Sequence, residues 1–281
     1  MESHEEEYKE KSSKNLKASS VKREERDGLL LEWFKIDGQL GEQIPTLLVH
    51  KLTGLSGKLV IFLHGLGGCK EDALYLREVA ELFGFSILAV DARRHGERKS
   101  DIAGISPTEI LSGLSGTIVD NRLPIDIALQ NKWAEQGKII LPGGSMGGIL
   151  GGVTAGVDKR ISGAVLYVPG GDLPEILAKS KYSLVVQVRQ GIPGFVFKVF
   201  RSQLAAVDPI NYVDKISPRP LLIQLGMHDD IVPFECGMKL FDKANEPKQL
   251  VVHDSGHDLP REKAAYETIQ WMKRNFPSLT A

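Results

Sequence analysis

The sequence predicts an α/β fold built on a doubly wound, mostly parallel sheet of about eight strands flanked by helices. Short, continuous apolar segments of strand length alternate along the chain with longer segments of helical period. Continuous apolar strands are typical of a parallel sheet covered on both faces, and alternation with helices favours crossover connections. An Asp37-Gly38 turn separates the first two segments, so we expect the sheet to begin with an antiparallel pair.

The first half of the chain supplies four of these strands and one helix. The four strands are predicted at residues 29–36, 44–52, 59–63 and 85–90. Residues 70–83 are predicted to form a helix because their apolar side chains recur at helical spacing. The side chains on that face are Leu76, Val79, Ala80 and Phe83.

The second half of the chain continues the same alternation. Four further strands are predicted at residues 138–141, 161–168, 221–225 and 250–253. Helices are predicted at residues 118–135, 234–244 and 261–276. Pro124 should mark a boundary or a kink in the first of these helices, because proline lacks the N–H group and clashes with the preceding turn.

A long connection between residues 170 and 218 interrupts the alternation. Its middle is rich in apolar side chains, and it is much longer than a usual crossover. We expect a small helical lid inserted into a domain that spans residues 29–281, after a charged extension at residues 1–28. The candidates for an apolar pocket wall are Phe195, Phe197 and Phe200. Ordinary core packing and the contact surface of a homodimer are the alternatives.

The most specific motif is Gly143-Gly144-Ser145-Met146-Gly147, which lies directly after a predicted strand and before a helix of small residues. This is the pattern of a nucleophile elbow, a sharp strand-to-helix turn that exposes a serine hydroxyl. The positions two before and two after the serine must be small, so that strand and helix pass without a clash. Ser145 is therefore the candidate nucleophile.

An acid and a histidine follow Ser145 in the sequence. Asp229 lies just beyond a predicted strand, where a carboxylate could orient an imidazole, and the neighbouring Asp230 is the alternative. His257 lies on the loop after the strand at residues 250–253, from which it could reach Ser145. The remaining histidines that we considered, which we expect to be structural, are His64, His95, His228 and His253.

Two backbone N–H groups are candidates for binding a developing oxyanion, as acyl transfer requires. One belongs to Met146, the residue after the candidate nucleophile. The other belongs to Leu66, in the glycine-rich loop that follows the strand at residues 59–63. The alternative explanation of those glycines is a tight connection between a strand and a helix.

These segments resemble the α/β-hydrolase superfamily over about residues 29–276. The segments that carry the resemblance are His64-Gly65-Leu66-Gly67-Gly68, residues 91–98, the elbow, residues 226–233 and Ser255-Gly256-His257. The chain is most similar to the branch of esterases, dienelactone hydrolases and prolyl-oligopeptidase-like serine hydrolases, in which nucleophile, acid and histidine occur in this order. The resemblance implies a triad of Ser145, Asp229 and His257, with no cofactor and no metal. Many lipases and esterases have a histidine directly before the serine, where this chain has Gly144, so the motif alone does not assign a subfamily.

The activity implied by the resemblance is hydrolysis of a small-molecule carboxylic ester, with a small to medium acyl or an aryl group, through an acyl-enzyme. A serine peptidase or amidase would use the same triad, although the chain is too short for the accessory propeller of prolyl oligopeptidases. A thioesterase and a non-catalytic binding protein are the further alternatives.

Composition and charge argue against several other classes of protein. The 35 basic and 36 acidic residues give a net charge of −1, with no basic excess to attract nucleic acid. No apolar run is long enough to span a membrane, and the two cysteines, Cys69 and Cys236, have no metal-ligand spacing. The charged N-terminus, expected as a tail or a solvated helix, lacks the apolar region of a secretory signal, which favours a cytoplasmic protein.

Overall fold

One nine-stranded sheet organises the residues that the computed structural model describes, which are 16–38, 41–100, 105–191 and 194–280. The strands are β1 (Ala18–Arg26), β2 (Leu29–Asp37), β3 (Gln43–Lys51), β4 (Gly57–Phe62), β5 (Ser86–Val90), β6 (Ala134–Gly144), β7 (Gly163–Tyr167), β8 (Leu221–Gly226) and β9 (Lys248–His253). Their spatial order is β1-β2-β3-β5-β4-β6-β7-β8-β9. Three neighbouring pairs are antiparallel, namely β1 with β2, β2 with β3 and β3 with β5. The remaining neighbouring pairs are parallel. The predicted α/β fold with a mostly parallel sheet is confirmed.

The ninth strand is β1, which lies in the segment that we expected to be a charged tail or a solvated helix. It pairs with β2 and is exposed along almost its whole length. Lys22, Glu24 and Arg26 occupy every second position of the strand, and the two basic side chains donate hydrogen bonds to Glu24. Charge on an edge strand opposes edge-to-edge association, which explains why five of the nine residues of this strand are charged. The sheet therefore begins at residue 18 and not at 29, while residues 1–15 lie outside the described residues.

The α-helices were predicted less well than the strands. Those of the described residues are α1 (Arg77–Phe83), α2 (Pro107–Asp120), α3 (Leu123–Gln130), α4 (Met146–Val157), α5 (Leu173–Lys179), α6 (Ser183–Gly191), α7 (Gly194–Gln203), α8 (Phe234–Lys243), α9 (Arg261–Asn275) and α10 (Pro277–Thr280). Residues 118–135 do not form one helix, because α2 begins earlier, at the capping box of Ser106 and Glu109, and ends at Asp120. A new helix starts at Leu123, so the boundary predicted at Pro124 is confirmed. Pro124 lies in the first turn of α3, where proline is tolerated.

The sheet is covered by apolar side chains on both faces. Ile61 and Leu141 belong to the cluster on one face, and their neighbours Val60 and Ile140 belong to the cluster on the other. Side chains alternate between the two faces of a strand, so continuous apolar strands fill both layers at once. No helix among residues 16–38, 41–100, 105–191 and 194–280 has the length and hydropathy that a membrane crossing needs.

The segment between β7 and β8 is largely helical, with α5, α6 and α7 followed by short 3-10 turns. Leu204 and Val207 from its second half belong to a buried cluster with Leu150 and Val153 of α4. The second half of the segment is therefore part of the domain core. Its role as a lid stays a prediction.

A buried carboxylate, that of Asp208, ties the two ends of this segment together. Its side chain accepts hydrogen bonds from the N–H groups of Asp172 (3.1 Å) and Leu173 (2.7 Å) at the start of α5. It also accepts one from the N–H group of Ile210 (3.1 Å), beyond the end of α7. A carboxylate has acceptor sites for all three donors, whereas an amide has only one oxygen.

Replacing this carboxylate should destabilise the protein. In Asp208→Asn the amide nitrogen would face a backbone donor in a buried place, so we expect the free energy of unfolding to fall by about 1–3 kcal/mol. Urea denaturation measures this change. Asp242→Asn, at an exposed position, is the matched control and should stay within about 0.5 kcal/mol of the unmodified protein. Equal stability of the two variants would contradict the assigned role of Asp208.

Candidate active site

The candidate residues come together at the carboxyl ends of four parallel strands. Ser145 follows β6, the loop with Leu66 follows β4, Asp229 follows β8 and His257 follows β9. In an open parallel sheet, the carboxyl ends of the strands are where ligands bind. The fold therefore gathers at one edge residues that are far apart in the sequence.

The turn at Ser145 has a backbone conformation that side-chain-bearing residues rarely adopt, with φ 55° and ψ −119°. A Cβ atom on Gly143 would collide with the carbonyl oxygen of Gly147, and a Cβ atom on Gly147 would collide with that of Leu63. Both positions therefore require glycine, as the elbow pattern predicts. The Ser145 N–H group donates to the carbonyl oxygen of Tyr167 (2.9 Å), which anchors the turn to β7.

Ser145, His257 and Asp229 form a continuous series of hydrogen bonds. His257 Nε2 lies 2.8 Å from Ser145 Oγ, and His257 Nδ1 lies 2.7 Å from Asp229 Oδ2. Because an ionised carboxylate only accepts hydrogen bonds, Nδ1 carries the proton, which leaves Nε2 free to accept the serine proton. The other carboxylate oxygen of Asp229 accepts from the N–H groups of Ile231 and Val232, both at 2.9 Å. The carboxylate is thereby fixed in orientation, with its side chain only 3% exposed.

The loops that carry the acid and the histidine are joined by backbone hydrogen bonds. The N–H group of Met227 donates to the carbonyl oxygen of His253, and that of His228 donates to the carbonyl oxygen of Ser255, both at 2.9 Å. These bonds continue the pairing of β8 with β9 beyond the strand ends. Asp230, the alternative acid, is exposed and binds Lys181 at 3.5 Å, so the structure brings Asp229 and not Asp230 to His257.

The two candidate oxyanion donors are the residue after Ser145 and the residue after Gly65, and a Cβ atom built on Gly65 would lie 3.5 Å from Ser145 Cβ. Within the described part of the chain, the N–H groups of Leu66 and Met146 donate to no protein acceptor. The peptide between Gly65 and Leu66 is held by His64. The Ala92 N–H group donates to His64 Nε2 (3.0 Å), so Nδ1 carries the proton and donates to the carbonyl oxygen of Gly65 (2.8 Å). That carbonyl and the Leu66 N–H group belong to one rigid peptide unit and point in opposite directions.

A buried ion pair lies at the end of the same loop. Lys70 and Asp91 are almost wholly buried, and the lysine ammonium lies 3.1 Å from the Asp91 carboxylate and 2.8 Å from that of Glu97. Burial by itself lowers the pKa of Lys70, but its hydrogen bonds to Glu97 and Asp91 raise the pKa overall. Asp91 also accepts from the backbone N–H group of Lys70 at 2.8 Å. Asp91 and Glu97 thus hold Lys70 at the start of the 3-10 turn that follows the glycine-rich loop.

One of the three residues predicted to form a pocket wall lies in the core. Phe200 is 2% exposed and belongs to the buried cluster that includes Leu150 and Val153, so we assign it to the core. Its helical spacing on α7 is equally typical of packing, which explains the error. The side chains of Phe195 and Phe197 lie outside the described residues, so that part stays a prediction.

The histidines that we expected to be structural have protein partners. His253 is buried and binds the side-chain oxygen of Gln224 (2.8 Å), while His95 binds the carbonyl oxygen of Arg93 (2.9 Å). His228 binds Asp254 (2.8 Å) on the surface. Among the residues that the structure describes, no group of three or more histidine, cysteine or acidic side chains is arranged to hold a metal ion.

The fold and the elbow define an α/β-hydrolase, and solved structures share this architecture. The acetyl xylan esterase from Paenibacillus sp. R4 superposes with a TM-score of 0.80 at 20% identity, over 93% of this chain and 89% of that one. A prolyl endopeptidase superposes with a TM-score of 0.69 at 18% identity. The superposition covers 90% of this chain but only 39% of the endopeptidase chain.

Sequence comparison gives the family. The model of the prolyl oligopeptidase family matches residues 118–277, more than half of the chain, and the chain belongs to this family. A Bacillus subtilis (strain 168) protein named "Putative esterase YitV" is 28% identical over 256 residues, which cover 85% of this chain and 98% of that protein.

The protein should become less stable as the pH falls, because the buried His64 binds a proton less readily in the folded chain than in the unfolded one. Burial lowers the pKa of His64 below its ordinary value of 6.5. The unfolded chain therefore binds this proton more readily, so the stability is present above about pH 6.5 and is lost as the pH falls. Between pH 7.5 and 5.5, the free energy of unfolding should fall by about 1 kcal/mol more in the unmodified protein than in His64→Gln. Urea denaturation at both pH values measures the difference, and identical pH dependence would contradict it.

Proposed function

We propose that the protein is a serine hydrolase that cleaves carboxylic esters of small molecules through an acyl-enzyme. The observation that carries the proposal is the hydrogen-bonded series from Ser145 through His257 to Asp229, with distances of 2.8 and 2.7 Å. A serine hydroxyl is a weak nucleophile by itself, and an imidazole within hydrogen-bond reach activates it.

In the proposed first step, Ser145 Oγ attacks the ester carbonyl carbon while His257 Nε2 takes the hydroxyl proton. The negative charge that develops on the carbonyl oxygen is stabilised by the N–H groups of Leu66 and Met146. His257 then donates its proton to the departing alcohol oxygen, which leaves an acyl group on Ser145. Asp229 keeps the imidazole in the required tautomer and stabilises its charged form.

Water completes the cycle. His257, neutral again, accepts a proton from a water molecule that attacks the acyl carbonyl, and the same two N–H groups stabilise the second oxyanion. Returning the proton to Ser145 Oγ releases the carboxylic acid. Apart from the substrate and water, each step uses only side chains and backbone groups of this chain.

The relatives support an ester more than a peptide as the substrate. The relative named an esterase is matched over 98% of its length, whereas the solved prolyl endopeptidase is matched over 39% of its chain. Membership of the prolyl oligopeptidase family keeps a peptidase or amidase as the second candidate. A thioesterase would share the same steps with a thiol as the leaving group.

Removal of the nucleophile or the base should abolish ester turnover without unfolding the protein. We expect Ser145→Ala and His257→Ala to lower kcat by about 10³–10⁶-fold on p-nitrophenyl esters from acetate to palmitate. Circular dichroism checks that the variants remain folded. Turnover of p-nitroanilide peptides in place of esters would instead indicate a peptidase. Near-normal ester turnover in either variant would contradict the proposal.

Two adjacent aspartates provide a matched test of the acid. Asp229→Asn should lower kcat by about 10⁴-fold, because an amide holds the imidazole in the wrong tautomer. Asp230→Asn changes an exposed carboxylate one residue away and should stay within about twofold of the unmodified protein. Steady-state kinetics on p-nitrophenyl acetate measures both. Equal losses in the two variants would argue against Asp229 as the orienting acid.

A further inference from the structure

A short segment between α5 and α6 connects the two sides of the candidate site. The Lys181 N–H group donates to the carbonyl oxygen of Asp230 (2.9 Å), next to the proposed acid. The next residue, Tyr182, extends the other way, and its hydroxyl lies 4.0 Å from the position of a Cβ atom built on Gly67. Gly67 follows the proposed oxyanion donor Leu66. We call Ser180–Tyr182 the bridging segment.

The bridging segment is held in place at its base. The Tyr182 N–H group donates to Ser180 Oγ (3.2 Å), and its carbonyl oxygen accepts the Val186 N–H group (2.9 Å) as α6 begins. Arg189 of α6 donates to the carbonyl oxygens of Leu177 (3.1 Å) and Ala178 (2.6 Å) at the end of α5. The ring of Tyr182 therefore projects from a fixed backbone.

The Tyr182 hydroxyl lies beside the oxyanion loop without a protein partner. Two other tyrosine hydroxyls are paired, that of the buried Tyr212 with the carbonyl oxygen of Ala206 (2.7 Å) and that of the half-buried Tyr167 with Thr268 Oγ1 (2.8 Å). The half-buried Tyr182 hydroxyl makes no hydrogen bond within the described part of the chain. It is the one described atom within 4 Å of the Gly67 Cβ position. Tyr182 therefore faces the space next to the site and not the core.

The proposed reaction assigns this space to one part of the substrate. His257 must reach the departing oxygen, so the alcohol portion lies on the histidine side of Ser145. The carbonyl oxygen points to Leu66 and Met146. In the proposed reaction the acyl chain takes the remaining direction, and we place it along the oxyanion loop, where the Tyr182 hydroxyl lies beside Gly67.

We propose that Tyr182 is a specificity-determining residue whose ring closes the acyl side of the cleft and restricts the enzyme to short acyl groups. The proposal rests on the proposed function, because it takes the acyl direction from the triad. It needs no contribution to the chemical step, since Tyr182 limits which substrates reach Ser145 in a reactive position.

Truncation of the ring should lengthen the preferred acyl chain. We expect Tyr182→Ala to raise the ratio of kcat/KM for p-nitrophenyl octanoate to that for the acetate by at least about tenfold, because each newly buried methylene is worth about fourfold. Tyr182→Phe keeps the ring and should leave the ratio within about twofold. Tyr266→Ala removes an exposed tyrosine from α9 and is the matched control.

The outcomes distinguish a role of Tyr182 in substrate specificity from a purely structural role. An unchanged ratio in Tyr182→Ala, with acetate turnover retained, would overturn the proposal. Equal loss of turnover on all chain lengths would also overturn it, by making Tyr182 a purely structural residue. Absence of Ser145-dependent ester turnover in the unmodified protein would instead refute the proposed function, and this inference with it.

Discussion

The strained backbone at Ser145 is the constraint on which the rest of the candidate site depends. A non-glycine residue at φ 55° and ψ −119° costs about 1–3 kcal/mol and persists only when its surroundings fix it. Here the start of α4 packs so closely against β6 and against the end of β4 that Gly143 and Gly147 leave no room for a side chain. The same crossing raises the hydroxyl above the sheet edge and starts a helix directly beneath it, where the helix dipole favours negative charge.

The remaining groups are positioned by rigid neighbours of this turn. His64 fixes the peptide that carries the Leu66 N–H group, and the buried pair of Lys70 and Asp91 fixes the start of the following 3-10 turn. Backbone pairing beyond β8 and β9 holds the loops of Asp229 and His257 against each other. Side chains supported in this way can meet within hydrogen-bond distance without adjustment, which is what preorganised catalysis requires.

Sequence patterns predicted the parts of the protein that depend on local rules. Apolar strands, the elbow and the chain order of Ser145, Asp229 and His257 each have a local signature, and the structure places these three side chains together. The edge strand β1 was missed because residues 22–26 are all charged, so no alternation of apolar and polar side chains marks them as a strand. Ser106 and Glu109 have the spacing of a capping box, which is a sequence signal for the start of α2.

Other features could not be predicted, because they depend on contacts between distant segments. Asp208 gives no sign in the sequence that it will bind the N–H groups of Asp172 and Leu173, since the loop geometry alone brings them together. Tyr182 has no motif, and only the folded chain shows it beside Gly67. The spacing of Phe200 predicted a pocket wall, but the same spacing serves core packing, and burial decides between the two.

Direct detection of the acyl-enzyme tests the central claim most simply. The protein is mixed with p-nitrophenyl acetate, quenched with acid within milliseconds and digested, and the peptides are analysed by mass spectrometry. The account predicts a burst of p-nitrophenol and one acetyl group on the peptide that carries Ser145, with neither in Ser145→Ala. Acetylation at another residue, or equal labelling of Ser145→Ala, would contradict it.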